Sequence, residues 1–278
     1  HVIYAHTMDV VGKRILITGA SRGIGQCMAR TFSRAGAQVI LVARATSRIE
    51  SLAAELGGSY YTLDLANDSE IDGFINRVEM QEGPIDVLIN NAGIEIGSLL
   101  EDLSEPEISQ LITTNLLSPQ RLTRQVLPGM ISRGTGHLVF TSSVAAITPT
   151  PGLAVYCASK AGLSKFGESL RIETKKTGIG VTVLHLGPVD TDMWTRVADN
   201  SVFQLAQKRF KNLSTLKSVS PELVAEDTLK AVIHNRREVR HPKRFSGLMA
   251  LNAMPARITE TLLAGINFRS ELNNNDRR

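Results

Sequence analysis

Six short apolar, β-branched-rich runs, each followed by a stretch with helical spacing, constrain this chain more than any other feature. They are KRILITGA (13–20), QVILVAR (38–44), SYYTLDL (59–65), DVLINNAG (86–93), GHLVFTSS (136–143) and GVTVLHL (180–186). Most are apolar on both faces, as parallel strands buried between two helix layers should be. Strand–helix–strand units close as right-handed crossovers, so their repetition builds an open, doubly wound sheet. The pattern predicts one α/β domain of Rossmann type. With a seventh strand from REVRHP, the usual order for this winding becomes 3-2-1-4-5-6-7, with helices on both faces.

Local signals support the helices between the runs. Ser104 and Glu107 have capping-box spacing, and SPEL (220–223) pairs a serine cap with proline at the first helical position. Gly178 is placed to end a helix over 155–177. A second long helix is predicted over 104–133. In both, apolar residues such as Leu111, Leu116, Leu122, Phe166 and Leu170 cover more than one face, which a lone surface helix does not need. A contact with a second subunit through these helices would account for them.

Composition narrows the classes. A chain of 278 residues, 42% hydrophobic, is long enough for one substantial core. The net charge of +4 is scattered until Arg236, so no nucleic-acid footprint is expected. Two cysteines, Cys27 and Cys157, make neither a disulfide framework nor a thiolate metal site. They point to a reducing compartment, the cytoplasm. The six histidines lack ligand spacing, so no metal is expected. No apolar run reaches the ~20 residues of a membrane-spanning helix. The opening HVIYAHTM lacks the plan of a signal peptide. The expected organisation is a poorly ordered leader (1–11), a catalytic domain (12–242) and an amphipathic C-terminal extension with a frayed tail (243–278). For that extension, packing or a lid over the cleft is favoured above peripheral membrane contact.

The first strand runs into TGASRGIG, where Gly19, Ser21, Arg22, Gly23, Ile24 and Gly25 turn the chain into a helix. Glycines let the backbone approach a pyrophosphate, and a helix N-terminus offers free N–H groups and partial positive charge. Tight strand-to-helix turns use glycine for steric reasons alone, but here the turn follows the first strand of an alternating α/β chain, the context of a dinucleotide site. Where an NAD enzyme usually carries an acidic residue at the end of strand two, this chain has Ala43 and then Arg44. A guanidinium matches a 2′-phosphate in charge and geometry, and Arg22 lies in the neighbouring turn. NADP(H) is therefore expected above NAD(H).

From Gly12 to Met193 the chain resembles the short-chain dehydrogenase/reductase family. The resemblance rests on TGxxxGxG in the first turn, NNAG at 90–93, Asn115 in TTNLL, Ser143, and the Tyr156-x-x-x-Lys160 pair. LGPVDTDM (186–193) resembles the family's PGxxxT segment, with Leu186 in place of proline. The resemblance implies that Asp64 and Leu65 lie at the adenine, and that Asn91, Ala92 and Gly93 line the adenosine ribose side. Val189 and Thr191 would meet the nicotinamide. It also implies that Lys160 holds the nicotinamide ribose, Ser143 the substrate oxygen, and Asn115 a water linking Lys160 to solvent, and that the chain forms a homodimer or homotetramer with the two long helices as its main contact.

Tyr156 is then the general acid or base. A free phenol has a pKa of about 10, and a lysine four residues along the same helix face is expected to lower it. In reduction Tyr156 protonates the developing alkoxide, and in oxidation it accepts the proton. Cys157 lacks a partner histidine and is read as structural. The segment after Ser143, with Met193 and Trp194, offers apolar surface, which suits a lipophilic ketone, aldehyde or alcohol. Two alternatives are a catalytically idle dinucleotide-binding protein and an NAD-dependent alcohol dehydrogenase of hydroxysteroid type.

Overall fold

The computed structural model describes residues 7–44, 46–148, 150, 152–193 and 218–242. Residues 1–6 of the expected leader, Trp194 and the 243–278 extension lie outside the described residues.

Seven strands form one sheet in the order β3-β2-β1-β4-β5-β6-β7. They are β1 (Arg14–Thr18), β2 (Gln38–Ala43), β3 (Ser59–Thr62), β4 (Val87–Asn90), β5 (Gly136–Ser143), β6 (Ile179–Leu186) and β7 (Glu238–His241). Every pairing is parallel. The described helices are α1 (Gly23–Arg34), α2 (Thr46–Leu56), α3 (Asp68–Ile71), α4 (Phe74–Glu82), α5 (Glu105–Ile112), α6 (Ser118–Arg133), α7 (Ala154–Glu173) and α8 (Pro221–Ile233).

Alternation along the strands divides the core into two layers. Ile15 and Ile17 point to one side with Met28 and Phe32 of α1, Ile49 of α2 and Val224 of α8. Leu16 points to the other, with Phe74 of α4, Leu122 and Val126 of α6 and Leu163 of α7. Both faces are dry, so each buried Ile or Leu contributes about 1.5–3 kcal/mol.

The predicted caps form. The Glu107 carboxylate accepts from Ser104 N at 2.9 Å, and Ser220 Oγ accepts from Leu223 N at 3.2 Å. Helix α5 passes through one π-helical turn, Thr113–Leu117, before α6. Such turns arise where a helix is distorted to aim a side chain, often at a functional site.

Three expectations are corrected. Helix α7 stops at Glu173 with Thr174 as cap, whose Oγ1 donates to Leu170 O, so Gly178 does not end it. Gly178 instead leads into β6 at φ +79°, where a Cβ would lie 1.9 Å from Gly134 O. Secondly, residues at the start pack onto the domain: Met8 N donates to Ile233 O at 2.9 Å and Val10 is buried. Met8 and Val10 are therefore held against the domain, while Val11 stays exposed. Thirdly, Leu111, Leu122 and Leu170 are buried inside the chain itself, so they do not call for a partner subunit.

Candidate active site

The predicted site residues lie beyond the carboxyl ends of β1 to β6 and on the helices that follow β4 and β5. The sheet winds in opposite directions from β1 and β4, which opens a crevice between them. Thr18, the last residue of β1, ties its walls together. Its Oγ1 accepts from Asn91 N and Ala92 N, both at 3.0 Å, and donates to Ile89 O at 3.3 Å.

Above this strut the glycine turn lies against the NNAG loop. Gly19 has φ +67°, and a Cβ there would stand 2.8 Å from Ala92 Cα. A Cβ on Gly25 would lie 2.3 Å from Gly19 O and 2.6 Å from Asn91 Nδ2. Gly19 and Gly25 thus let the turn pack backbone to backbone on the NNAG loop and on itself. Helix α1 opens from it with no side-chain cap and no acidic residue in its first turn. Its leading N–H groups and positive end suit the pyrophosphate of a dinucleotide.

The other cofactor candidates are placed less uniformly. The Asn91 side chain turns inward: Nδ2 donates to Thr18 O at 3.1 Å and Oδ1 accepts from Thr141 Oγ1 at 3.3 Å. Its role in the structure is to brace the crevice. Asp64 Oδ1 accepts from Ala66 N at 3.0 Å, and the Leu65 carbonyl accepts from Ser118 Oγ at 2.5 Å. Ser21 and Ile24 are half-buried in the turn, whereas Arg22 and Arg44 are exposed. Val189 is buried and bridges to Val219, while Thr191 Oγ1 donates to Val189 O at 3.2 Å.

Asn115, Ser143, Tyr156 and Lys160 converge from the π turn, the end of β5 and the first half of α7. Asn115 is fully buried and clamps the β4–α5 loop. Its Oδ1 accepts from Ile94 N and its Nδ2 donates to Ile94 O, both at 2.8 Å. Lys160 Nζ is buried, donates to Thr141 O at 2.9 Å and stands 5.7 Å from the centroid of the Tyr156 ring. Gly93 separates lysine from asparagine: a Cβ there would meet Asn115 Oδ1 and Lys160 Nζ, each at 3.2 Å. Ser143 Oγ accepts from Ala145 N and donates to Leu186 O, both at 3.1 Å. With leucine at 186, β6 runs on to pair with Ser143 on one side and His241 on the other.

Electrostatics revises one expectation. Burial is the largest influence on the Tyr156 phenol and raises its pKa. A hydrogen bond with Ser143 pulls it down, and the Glu95 carboxylate pushes it up. The net direction is upward, not downward as the neighbouring lysine suggested. Burial also pulls the Lys160 ammonium down to about 8. Tyr156 is therefore held as a neutral phenol beside a cation, the protonation state of an acid.

Glu95 and Thr18 were not among the residues singled out from sequence. Glu95 carried a faint signal, an acidic residue two positions beyond NNAG in an apolar stretch. Thr18 carried none, because one threonine at a strand end is common.

Comparison with known proteins agrees with this geometry. Residues 13–201 match the family model described as short chain dehydrogenase. The chain is 33% identical over 244 residues to dehydrogenase/reductase SDR family member 7B of Danio rerio, covering 83% of this chain and 77% of that protein. It is 36% identical over 220 residues to a ketoacyl reductase of Nostoc, covering 77% of this chain and 75% of that protein. A metagenomic short-chain oxidoreductase solved in complex with NADP superposes with a TM-score of 0.68 at 29% identity, covering 84% of this chain and 98% of that one. The strand order agrees with these likenesses, and the chain belongs to the short-chain dehydrogenase family of oxidoreductases.

Proposed function

We propose that this protein is an NADP(H)-dependent carbonyl reductase, acting on a neutral, lipophilic ketone or aldehyde and, in reverse, on the alcohol. The observation that carries this reading is the meeting of Asn115 and Lys160 at Gly93, with Tyr156 beside the lysine and Ser143 beside the phenol, next to the glycine turn. The likeness to a ketoacyl reductase and to a structure holding NADP supports it.

The residues fit a dinucleotide. Gly19, Gly23, Gly25 and the start of α1 would receive the pyrophosphate, Arg22 and Arg44 the 2′-phosphate, and Lys160 and Thr191 the nicotinamide end. When bound, the nicotinamide supplies hydride for the carbonyl carbon. Ser143 Oγ, turning its proton away from Leu186 O, donates to the substrate oxygen and orients it. Tyr156 gives its proton to that oxygen as negative charge develops, which lowers the barrier typically 10²- to 10⁴-fold. Lys160 then stabilises the phenolate left behind. Asn115 holds the loop that keeps Gly93 against the lysine.

Two features support the substrate class. Val144, Ala145, Ala146 and Ile147 follow Ser143 directly, and the Glu95 carboxylate disfavours anions near the phenol. The test is a panel of neutral ketones and aldehydes followed by absorbance with NADPH and with NADH. Turnover with NADPH supports the assignment. Binding of NADPH without turnover of any carbonyl shifts it to the idle, dinucleotide-binding alternative. Arg44→Ala should weaken NADPH about 10- to 100-fold and leave NADH nearly unaffected, the loss of one charged hydrogen bond. Equal NADPH and NADH dissociation constants in the unmutated protein remove the NADP preference.

A further inference from the structure

The loop after β6 lays an acidic side chain on the glycine turn. Its backbone is held at several points. Gly187 N donates to His241 O at 2.7 Å, Val219 N to Pro188 O and Asp190 N to Val219 O, both at 3.0 Å. One step further, the Thr191 methyl lies 3.1 Å from where a Cβ on Gly23 would stand. With these anchors set, Asp192 falls opposite Arg22, Oδ2 to Nη1 at 3.4 Å. The two side chains come from positions 170 residues apart.

Arg22 is thus engaged by a carboxylate, which offers a guanidinium the same charge and the same oxygen acceptors as a phosphate. Both side chains remain open to solvent, 47% and 70% exposed, so the pair is weak and exchangeable. We propose that Asp192 is a cofactor-specificity residue. It occupies Arg22 until a 2′-phosphate displaces it, and its charge lowers the advantage of NADPH over NADH. This rests on the reading that Arg22 serves a 2′-phosphate. NADH carries no such group, so Asp192 should cost it little.

The experiment is fluorescence titration of the full chain with NADPH and NADH, for the unmutated protein, Asp192→Asn, Arg22→Gln and the double variant. Asp192→Asn keeps size and hydrogen-bonding capacity and removes the charge. It should tighten NADPH about three- to ten-fold, as expected for losing an exposed competing ion pair and a like-charge neighbour, with a far smaller change for NADH. In the Arg22→Gln background the same substitution should change NADPH affinity much less, because the group it masks is gone. In high salt the gain should shrink.

An unchanged ratio of NADPH to NADH affinity in Asp192→Asn overturns the proposal. So does weaker NADPH binding, which makes Asp192 part of a clamp over the cofactor. The two readings fail separately. If the unmutated protein shows no NADPH preference and Asp192→Asn creates one, the masking of Arg22 stands while the NADP assignment of the native protein falls.

Discussion

Lys160 Nζ sits over the face of the Tyr156 ring, 5.7 Å from its centroid, and points its hydrogen bond at Thr141 O rather than at the phenol. Tyrosine and lysine are one helical turn apart, so α7 alone brings them together. What holds the lysine in its buried place is the backbone of β5. The pair is therefore a contact between helix and sheet as well as within a helix, and the protonation of each member is set by burial first.

Tyr156→Phe should lower kcat by at least about 10²-fold and change the NADPH dissociation constant little. The ring still packs, but the proton is gone. Lys160→Ala should damage both kcat and cofactor affinity. Steady-state rates combined with fluorescence titration separate the two, and Tyr156→Phe with more than a tenth of native kcat would point to another acid.

Glu95→Gln should shift the alkaline limb of the kcat/KM profile for reduction to lower pH. The carboxylate raises the phenol's pKa, so its removal lets Tyr156 lose its proton sooner as pH rises. Reduction needs that proton, hence activity falls earlier. An unmoved profile would mean that Glu95 does not act on the phenol.

Thr18→Val keeps shape and removes one hydroxyl. It leaves Ala92 N without its 3.0 Å acceptor in a half-buried place, while Asn91 N keeps Ile89 O at 3.0 Å. That orphaned donor costs about 1–3 kcal/mol, so the melting temperature should drop by roughly 3–8 °C. NADPH affinity should fall too, because the turn and the NNAG loop lose their common brace. A differential scanning trace within 1 °C of native would contradict this.

His137 is buried, with Nε2 2.8 Å from Thr182 Oγ1. Burial, aided by Arg171, pulls its pKa down to about 3, against roughly 6.5 in an unfolded chain. Between these values the unfolded chain binds the extra proton. The stabilisation from a neutral His137 is therefore full above about pH 6.5 and is lost as pH falls towards 3. His137→Leu should flatten the fall of stability between about pH 6.5 and 4.5, by a slope equivalent to about one proton. Urea unfolding across that range measures it. Thr182 Oγ1 keeps its own acceptor, Arg236 O at 2.6 Å, so the variant leaves no hydroxyl hydrogen stranded.

The fold was legible in the sequence because its determinants are local and periodic. Runs such as Ile15–Ile17 and Val87–Ile89 are apolar at every position, and a parallel strand covered on both faces hides all of them. The glycine turn and the Tyr156–Lys160 pair were legible for the same reason, since each lies within one element. Only the tertiary structure decided whatever depends on contacts between distant segments. Burial outweighs the neighbouring lysine at Tyr156, because the charged form of a group shut away from water is penalised by everything packed round it. Asn91 turns inward because Thr18 and Thr141 offer partners there. Gly178 is required by the backbone of Gly134, 44 residues earlier, and Asp192 reaches Arg22 across 170. Spacing along a chain sets which groups share a helix face or a strand, whereas desolvation and the choice among hydrogen-bond partners belong to the packed molecule.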